Sequence, residues 1–465
     1  MKTVVTYRSA PAVKSLVLDL IAYANCSHSP HAADAWRHPD HEHARRYTDL
    51  GYWQELGQTL EAAPFAGLFL ADAYNVADRF RDSIEPTVRQ GEQFPENDPL
   101  PLLAAVAGAT DRLGLIATAS TSLYPPYLLA KKLSTVDHLT DGRLGWNVVT
   151  SSGRLEFANV GVERLGHDAR YDRADEYLAV LYKLWEGSVD DDAIVADAED
   201  GIYADPDGVR FIDHEGEHFS VPGPHLVAPS PQRTPLLFQA GQSERGRSFA
   251  ARHAEATFTF QLDTDSLTDY VTDLAERARA GGREPPAVFP GIAPYVAETE
   301  TAAHDLHESV VDRTSVETGL VRLSSHLDHD YSQYDPDAPL QAIEVDGIRG
   351  VLEAFLTSDR EWTVGEAARR YARHPVPEPV GTPEQVADTV ETWHAAGADG
   401  FVVMAPLVPE GFERVADLLV PELQRRGLVP ETYETGTLRA RIRADDRLPE
   451  THPGADSRPD GSAGD

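Results

Sequence analysis

The chain has 465 residues, a formal net charge of −35 at pH 7 and an apolar content of 41%, which is enough for a large core. Nucleic acids and anionic membranes bind basic surfaces, so this acidity excludes a general binder of either kind. Abundant Asp and Glu beside only five lysines favour a halophilic protein, whose like charges are screened by concentrated salt, over a merely acidic one.

The N-terminal region predicts where the protein is located, and the cysteine content limits the sites it can contain. The apolar run at 15–22 is interrupted by Asp19, is too short to span a membrane and lacks a small-residue cleavage site. We therefore expect a buried first strand and a cytoplasmic protein. The single cysteine, Cys26, excludes an internal disulfide and any multi-cysteine metal site.

Strand and helix signals alternate along the chain without a fixed repeat. Short apolar runs predict strands at 15–24, 67–72, 113–119, 143–149, 235–240, 256–262, 287–297 and after Asp399. Eight such units predict an α/β protein with a (β/α)₈ TIM barrel. The alternative is an open doubly wound sheet, but no Gly-x-Gly-x-x-Gly follows the first strand and no Walker phosphate loop occurs.

We expect residues 1–443 to form one barrel domain with two insertions, at about 188–233 and about 300–375. The first is rich in Asp, Gly and Pro, and the second is polar and helical in pattern. Residues 444–465 are rich in Asp, Pro, Gly and Ser, which predicts an acidic disordered tail.

Several predicted strands run directly into polar side chains. Asp72 ends strand two, Thr118 lies near the end of strand three, Asn147 and Ser151 lie at the end of strand four, and Ser243 follows strand five. A parallel barrel collects such groups at the carboxyl ends of its strands, where enzymes of this fold bind ligands. Alternatives remain for each residue: Asp72 as a loop cap, Asn147 and Ser151 as strand-end hydrogen-bonding groups, and Ser243 as a helix N-cap.

A second group of residues suits a phosphate. His167, Arg170 and Tyr171 share one face if their segment is helical, and a guanidinium binds phosphate in a bidentate manner. Ser243 and Glu244 open a predicted helix, whose N-terminus offers free amides and a positive dipole to an anion.

The chain resembles the bacterial-luciferase-like FMN-dependent monooxygenases, in the branch of the nitrilotriacetate, dibenzothiophene-sulfone and long-chain alkane monooxygenases. The resemblance covers most of 15–440, is weakest in 300–375, and includes Leu-Phe-Leu-Ala-Asp at 68–72 and Trp-Asn-Val-Val-Thr-Ser at 146–151. Further matching segments lie at 36–39, 47–50, 133–143, 167–171, 182–187, 221–225, 229–235, 239–246 and 420–427.

This resemblance implies a two-component system. Reduced FMN would be supplied by a separate NAD(P)H:flavin oxidoreductase, and one oxygen atom of O₂ would enter a small organic substrate through a peroxyflavin. The substrate could be an alkane, an organosulfur compound or an amino-polycarboxylate. The family's flavin-contacting positions fall on Asp72, Thr118, His167, Tyr171 and Ser243, and its precedent for assembly is a homodimer or homotetramer.

The resemblance also suggests residues on the substrate side. Cys26 matches a pocket cysteine, although a small buried apolar role is the alternative. Gln93 and Asn97 fall in the loop after strand two, and either His28 or His31 is expected in the pocket. Two departures from the family's pattern leave the identity of the substrate undecided. Ala77 stands where the alkane enzyme has a pocket Tyr, although Tyr74 is nearby. The family's pocket histidine has no certain counterpart here, and His326 and His329 are the candidates for it.

The same residues allow other functions. Five histidines between His28 and His43 suggest a metal, but their spacing fits neither His-Glu-x-x-His nor a facial triad, so no metal is expected. An F420-dependent oxidoreductase would use the same fold to transfer a hydride, and a non-catalytic relative would only bind flavin. A scaffold or interaction protein is disfavoured because so many polar groups follow strand ends.

Overall fold

A computed structural model describes residues 17–341, 352, 355–356 and 360–459. Eight parallel strands close into a barrel, with β1 pairing with β2 on one side and with β8 on the other. The strands are β1 (Asp19–Asn25), β2 (Gly67–Ala71), β3 (Gly114–Ser120), β4 (Leu144–Val149), β5 (Leu236–Gln239), β6 (Ala256–Thr259), β7 (Ala287–Ile292) and β8 (Gly400–Val403). The predicted TIM barrel is confirmed, and the open sheet is excluded.

Helices surround the strands and connect them. They span His43–Arg46, Leu50–Ala62, Glu85–Gln90, Pro99–Ala107, Pro126–Leu139, Arg154–Val160, His167–Tyr182, Glu244–His253, Thr264–Ala280, Glu300–Val311, Val316–Leu327, Val364–Tyr371, Pro383–Ala395, Glu410–Arg414, Val420–Arg425 and Leu438–Arg443. Short 3-10 turns lie at Ala35–Arg37, Phe80–Asp82, Pro206–Gly208, Tyr331–Gln333 and Ala455–Ser457, and π-helical turns at Lys183–Gly187 and Val415–Leu419. No helix in the described part of the chain is long and apolar enough to cross a membrane.

The barrel interior is filled by aromatic side chains. Phe69 lies edge-on to Phe238 and to Phe258, with ring centroids 6.4 and 6.0 Å apart, and Phe238 contacts Phe289 at 6.0 Å. These strands carry apolar residues on both faces because the barrel covers one face and the helices cover the other. The packed interior is thus a rigid base beneath the carboxyl ends of the strands.

The C-terminal segment closes the opposite end of the barrel. Leu438 is fully buried in the interior cluster, and Arg439 donates from Nε to Glu255 Oε1 at 2.7 Å. The prediction that 444–465 are disordered is wrong for 444–459. Leu448 and His452 are buried there, and His452 Nε2 bonds the carbonyl of His253 at 2.9 Å, so apolar packing prevails over the polar composition. Residues 460–465 lie outside the described chain.

The region near 188–233 contains two small antiparallel sheets, Ile194–Asp197 with Ile202–Ala204 and His214–Glu215 with Ser220–Val221. In the 300–375 region, helices Val316–Leu327 and Val364–Tyr371 share an apolar cluster with Phe80 from the loop after β2. This cluster positions the insertion at the carboxyl-end mouth of the barrel.

The predicted strand at 287–297 is divided in the structure. After β7, Tyr295–Val296 leaves the barrel and pairs in parallel with Val380–Gly381. The break lets the chain turn outward into the insertion.

Candidate active site

A cavity of about 290 Å³ opens at the carboxyl ends of the strands, between the barrel and the insertion. Its lining brings together polar groups from β2 to β5, the helix His167–Tyr182 and the insertion. The sequence-predicted residues found in this lining are Asp72, Gln93, Thr118, Asn147, Ser151, His167, Arg170, Tyr171 and Ser243. Residues separated by up to 171 positions therefore face a single space.

The floor of the cavity carries an amide and a hydroxyl from neighbouring strands. Asn147 Nδ2 donates to Thr118 Oγ1 at 3.0 Å, across the register that pairs these two residues. The Oδ1 atom of Asn147 is buried and accepts no hydrogen bond from the described residues. A buried acceptor without a donor favours a ligand that supplies one.

Three lining residues that are not glycine adopt left-handed backbone conformations. The φ angles are 46° at Gln93, 51° at Ser151 and 61° at His374. Such conformations cost free energy, and their concentration around one cavity is typical of a functional site.

Asp72 follows β2 and faces the cavity from a largely buried position. Burial raises the pKa of its carboxyl to about 7, because removal from water disfavours the charged form. Asp72 can therefore hold or release a proton close to neutral pH.

The opposite end of the cavity is arranged for an anion. His167 Nε2 lies 3.3 Å from Ser243 Oγ, and Ser243 caps the helix Glu244–His253 by accepting from Gly246 N at 3.1 Å. Asp168 Oδ1 lies 2.6 Å from His167 Nδ1, so it orients the imidazole. The helix N-terminus, the His167 imidazole and the Ser243 hydroxyl thus meet at one corner of the cavity, where an anion can bind.

Two further side chains complete this end. Arg170 is buried and donates from Nη1 to the carbonyl of Leu165 at 2.9 Å. Tyr171 packs between His167 and Phe249, with ring centroids 5.4 Å from each, and burial raises the pKa of its phenol. The hydroxyl therefore stays protonated and can donate to an anion.

A glycine gives the anion-binding end its close packing. A Cβ atom on Gly241 would lie 2.4 Å from Gln239 Nε2 and 2.7 Å from Tyr171 Oη. A side chain there would have to displace these two polar groups from their positions at the cavity. The Gly241 amide donates to Gln239 Oε1 at 2.7 Å, which fixes the turn before the helix.

The insertion and the loop after β2 form the third side of the cavity. His326 Nδ1 lies 2.5 Å from Tyr371 Oη, and His326 Nε2 lies 3.4 Å from Gln93 Oε1. Burial lowers the pKa of His326 to about 3 and raises that of the Tyr371 phenol, so both groups are neutral. His374 stacks on Phe260 at 5.5 Å between ring centroids, which extends this neutral wall.

Three of the predicted site residues lie outside the cavity lining. Cys26 is fully buried in the core between barrel and helices, and burial raises the pKa of its thiol. His31 lies behind His374, with ring centroids 5.6 Å apart. Glu244 is exposed on the first turn of its helix.

Two further residues that the sequence suggested for the substrate pocket, Asn97 and His329, also lie outside the cavity lining. Asn97 is exposed and donates its backbone N–H to the carbonyl of Cys26 at 3.0 Å. His329 bonds Tyr334 at 2.9 Å and is absent from the lining, so His326 is the histidine of the insertion that faces the cavity.

The sequence interpretation missed several lining residues, among them Gln239, Phe258, Phe260, Tyr371 and His374. Gln239 is the last residue of β5, so the strand-end pattern that indicated Asp72 and Thr118 could also have indicated Gln239. Tyr371 ends a helix of the insertion and His374 lies just after it, and nothing in their local pattern indicates the barrel mouth.

The histidine-rich loop is explained by individual packing contacts. His41 bonds the carbonyl of His28 at 2.8 Å, His43 bonds Tyr52 Oη at 2.8 Å, and His38 bonds Ser309 at 3.2 Å. Within the described ranges, no three His, Cys, Asp or Glu side chains are grouped so as to hold a metal ion.

Comparison with known proteins identifies the family. The profile described as luciferase-like monooxygenase matches residues 30–400. The chain belongs to the luciferase-like monooxygenase family. The predicted resemblance is confirmed, and so is the enzyme class: members are oxidoreductases that use reduced flavin and O₂.

Three relatives show how complete the similarity is. The long-chain alkane monooxygenase of Geobacillus thermodenitrificans (strain NG80-2) is 42% identical, over 90% of this chain and 92% of the relative. The dimethyl-sulfide monooxygenase of Hyphomicrobium sulfonivorans is 38% identical, over 96% of this chain and 94% of the relative. A crystal structure of riboflavin lyase with modified FMN and riboflavin superposes with a TM-score of 0.90, at 34% identity, over 95% of this chain and 100% of that one.

Proposed function

We propose that this luciferase-like monooxygenase binds reduced FMN in the cavity and inserts one oxygen atom of O₂ into a small organic substrate. When bound, the reduced flavin supplies two electrons and activates O₂, with one oxygen atom going to the substrate and the other to water. The observation that carries the proposal is the convergence of an anion-binding end and a polar, strained floor in one cavity.

The phosphate of FMN would be held at the N-terminus of the helix Glu244–His253. Ser243 and His167 offer a hydroxyl and an imidazole there, with Arg170 and Tyr171 beside them. The fit is supported by the position of Ser243 at the N-cap of this helix, whose first amides point toward the same corner.

The ring system of FMN would lie over the floor of the cavity. Asn147 Oδ1 and the strained Ser151 are positioned to meet its polar edge, with Thr118 fixing the amide of Asn147. Asp72 would hold a proton near that edge, because its pKa of about 7 makes both protonation states accessible at neutral pH.

The insertion would cover the reacting region and exclude water. Gln93, His326 and Tyr371 form a neutral hydrogen-bonded chain on that side. We propose that they orient the substrate against the flavin, while His31 supports His374 from behind. Exclusion of water protects a reactive oxygen species from wasteful breakdown.

Some properties of the system follow from the family. We propose that a separate NAD(P)H:flavin oxidoreductase supplies the reduced FMN, and that the chain forms a homodimer or homotetramer. We also propose that the charge of −35 is an adaptation to concentrated salt. Residues 1–443 would act as one catalytic domain with insertions at about 188–233 and 300–375.

The proposal is tested by titrating the protein with oxidised FMN and F420, and then by mixing the FMN complex anaerobically with a chemical reductant before O₂ is admitted. We expect FMN to bind and the reduced complex to consume O₂. Preferential binding of F420, or reduced FMN that reacts with O₂ no faster than free flavin, would contradict the proposal.

A further inference from the structure

The substrate end of the cavity differs in charge from the end assigned to phosphate. Among the described residues that line the whole cavity, Arg170 is the only arginine, and lysine is absent. Arg170 lies at the anion-binding end. The substrate end is formed by Gln93, Ser325, His326 and Tyr371 with aromatic rings, none of which carries a positive charge.

One arginine does pack behind this wall, but it is neutralised. Arg322 is buried, and its Nε donates to Glu92 Oε1 at 2.6 Å. Its Nη1 donates to the carbonyls of His31 and Ala372 at 3.1 and 3.0 Å. Two nitrogens of the guanidinium, Nε and Nη1, are therefore bonded to protein groups, and the Glu92 carboxylate balances its charge.

Two further arginines of the insertion, Arg370 and Arg373, are paired in the same way. Arg373 Nε donates to Glu378 Oε1 at 2.9 Å, and Arg370 Nη1 lies 3.3 Å from the same oxygen. Arg370 also donates to the carbonyls of His374 and Val376. A carboxylate brought to this end would break a buried ion pair or remain unpaired in a low-dielectric space, and both are costly.

The acidic side chains at the cavity give a carboxylate nothing to pair with. Asp72 and Glu156 line it, and Glu156 already accepts from the backbone amides of Ser152 and Gly153 at 3.0 and 2.6 Å. A substrate carboxylate at the reacting position would therefore stay unpaired.

We infer that the substrate is a neutral organic molecule, of the hydrocarbon or thioether class, and that the cavity rejects amino-polycarboxylates and other carboxylates at its Gln93 end. The inference rests on the proposed function. The sequence leaves three substrate classes open. The lack of a free positive charge near Gln93, His326 and Tyr371 favours the neutral classes over the amino-polycarboxylates.

The test uses pairs of molecules that share a skeleton and differ in charge. Dimethyl thiodiglycolate is compared with thiodiglycolate, and decane with decanoate, by titration into the FMN-loaded protein and by turnover with reduced FMN and O₂. We expect each neutral member to bind about a hundredfold more tightly than its anionic partner. Equal or tighter binding of the anions, or no binding of either neutral molecule to FMN-loaded protein, would overturn the inference.

A charge variant tests the structural cause. Glu92→Gln leaves Arg322 without its carboxylate, so we expect the preference for the neutral members to fall by about tenfold or more. Glu255→Gln is the matched control, because it removes an equally buried carboxylate from Arg439 at the far end of the barrel. A preference unchanged in Glu92→Gln, in a variant that folds and binds FMN, would refute Arg322 neutralisation as the cause.

The proposed function and the substrate class can be contradicted by different results. Loss of FMN binding or of O₂ consumption in the parent protein would overturn the proposed function. Intact FMN binding and O₂ consumption with indifference to substrate charge would overturn only the substrate class.

Discussion

His167 and Ser243 lie 76 residues apart in sequence, yet His167 Nε2 is 3.3 Å from Ser243 Oγ at the N-terminus of the helix Glu244–His253. The contact joins the helix that follows β4 to the helix that follows β5. It creates an anion-binding corner from two segments that share no local sequence pattern. The phosphate site proposed for FMN depends on this corner.

The first prediction concerns this pair. His167→Ala and Ser243→Ala should each weaken FMN binding by about tenfold or more, because each removes a hydrogen bond to a charged group. Flavin fluorescence titration measures the affinity. Ser315→Ala is the matched control, since Ser315 also caps a helix by accepting from a backbone amide at 3.0 Å but lies outside the cavity lining. Equal FMN affinity in parent and both site variants would contradict the assignment.

The second prediction concerns Gly241. Gly241→Ala places a methyl group against Gln239 and Tyr171, and we expect a loss of about 1–3 kcal/mol in stability together with weaker FMN binding. Gly166→Ala is the control at the N-cap of the neighbouring helix, where an added Cβ meets nothing within 4 Å. Urea unfolding and FMN titration of both variants provide the measurements. Similar behaviour of the two variants would show that close packing at Gly241 is unimportant.

The third prediction separates substrate orientation from cofactor binding. Tyr371→Phe removes the hydroxyl that holds His326 Nδ1, so we expect turnover to fall about tenfold while FMN affinity stays unchanged. Tyr331→Phe removes a hydroxyl from the same apolar cluster that has no partner among the described residues, and should leave turnover intact. Steady-state kinetics on a neutral substrate compare the two. A parallel loss in both variants would indicate a packing effect.

The fourth prediction concerns pH. The folded-state pKa of Asp72 is raised from 3.8 to about 7, so the folded protein binds this proton more tightly than the unfolded chain. The contribution of Asp72 to stability is therefore present at low pH and is lost as pH rises through that window. Asp72→Asn should be more stable than the parent by about 2 kcal/mol above pH 7, with the difference shrinking toward pH 4.

Urea unfolding of the apoprotein across this pH range measures the effect. Asp265→Asn, an exposed carboxylate on the helix Thr264–Ala280, serves as the control for a change of net charge. A constant stability difference between Asp72→Asn and the parent at all pH values would show that Asp72 titrates normally.

The fifth prediction follows from net charge. Raising KCl from about 0.1 M to about 1 M shortens the Debye length from about 10 to about 3 Å and weakens self-repulsion. We expect the free energy of unfolding to rise by about 2 kcal/mol or more. Thermal or urea unfolding at both salt concentrations tests this expectation. Stability that is flat or falls with salt would contradict the proposed high-salt adaptation.

The strand-end pattern predicts several residues of the cavity lining from sequence. Thr118 and Asn147 are among them, because a parallel barrel brings the carboxyl ends of its strands to one mouth. The alternatives weighed for Ser243 turn out to be compatible, since it caps a helix and faces the cavity at once.

Other parts of the site depend on tertiary packing that a linear pattern does not encode. Tyr371 and His374 reach the cavity because two insertion helices share an apolar cluster. Cys26 follows β1 but turns into the core, as its small apolar character allows. The segment that includes Leu448 and His452 is polar in composition, yet a few buried side chains suffice to fix it.

We propose above that the cavity uses reduced flavin to place oxygen from O₂ on a neutral substrate. The most direct measurement is a single turnover of the chemically reduced FMN complex with dimethyl thiodiglycolate under isotopically labelled O₂, followed by mass spectrometry of the product. We predict one labelled oxygen atom in the product and no reaction without O₂. An unlabelled product, or conversion that proceeds anaerobically, would contradict the claim.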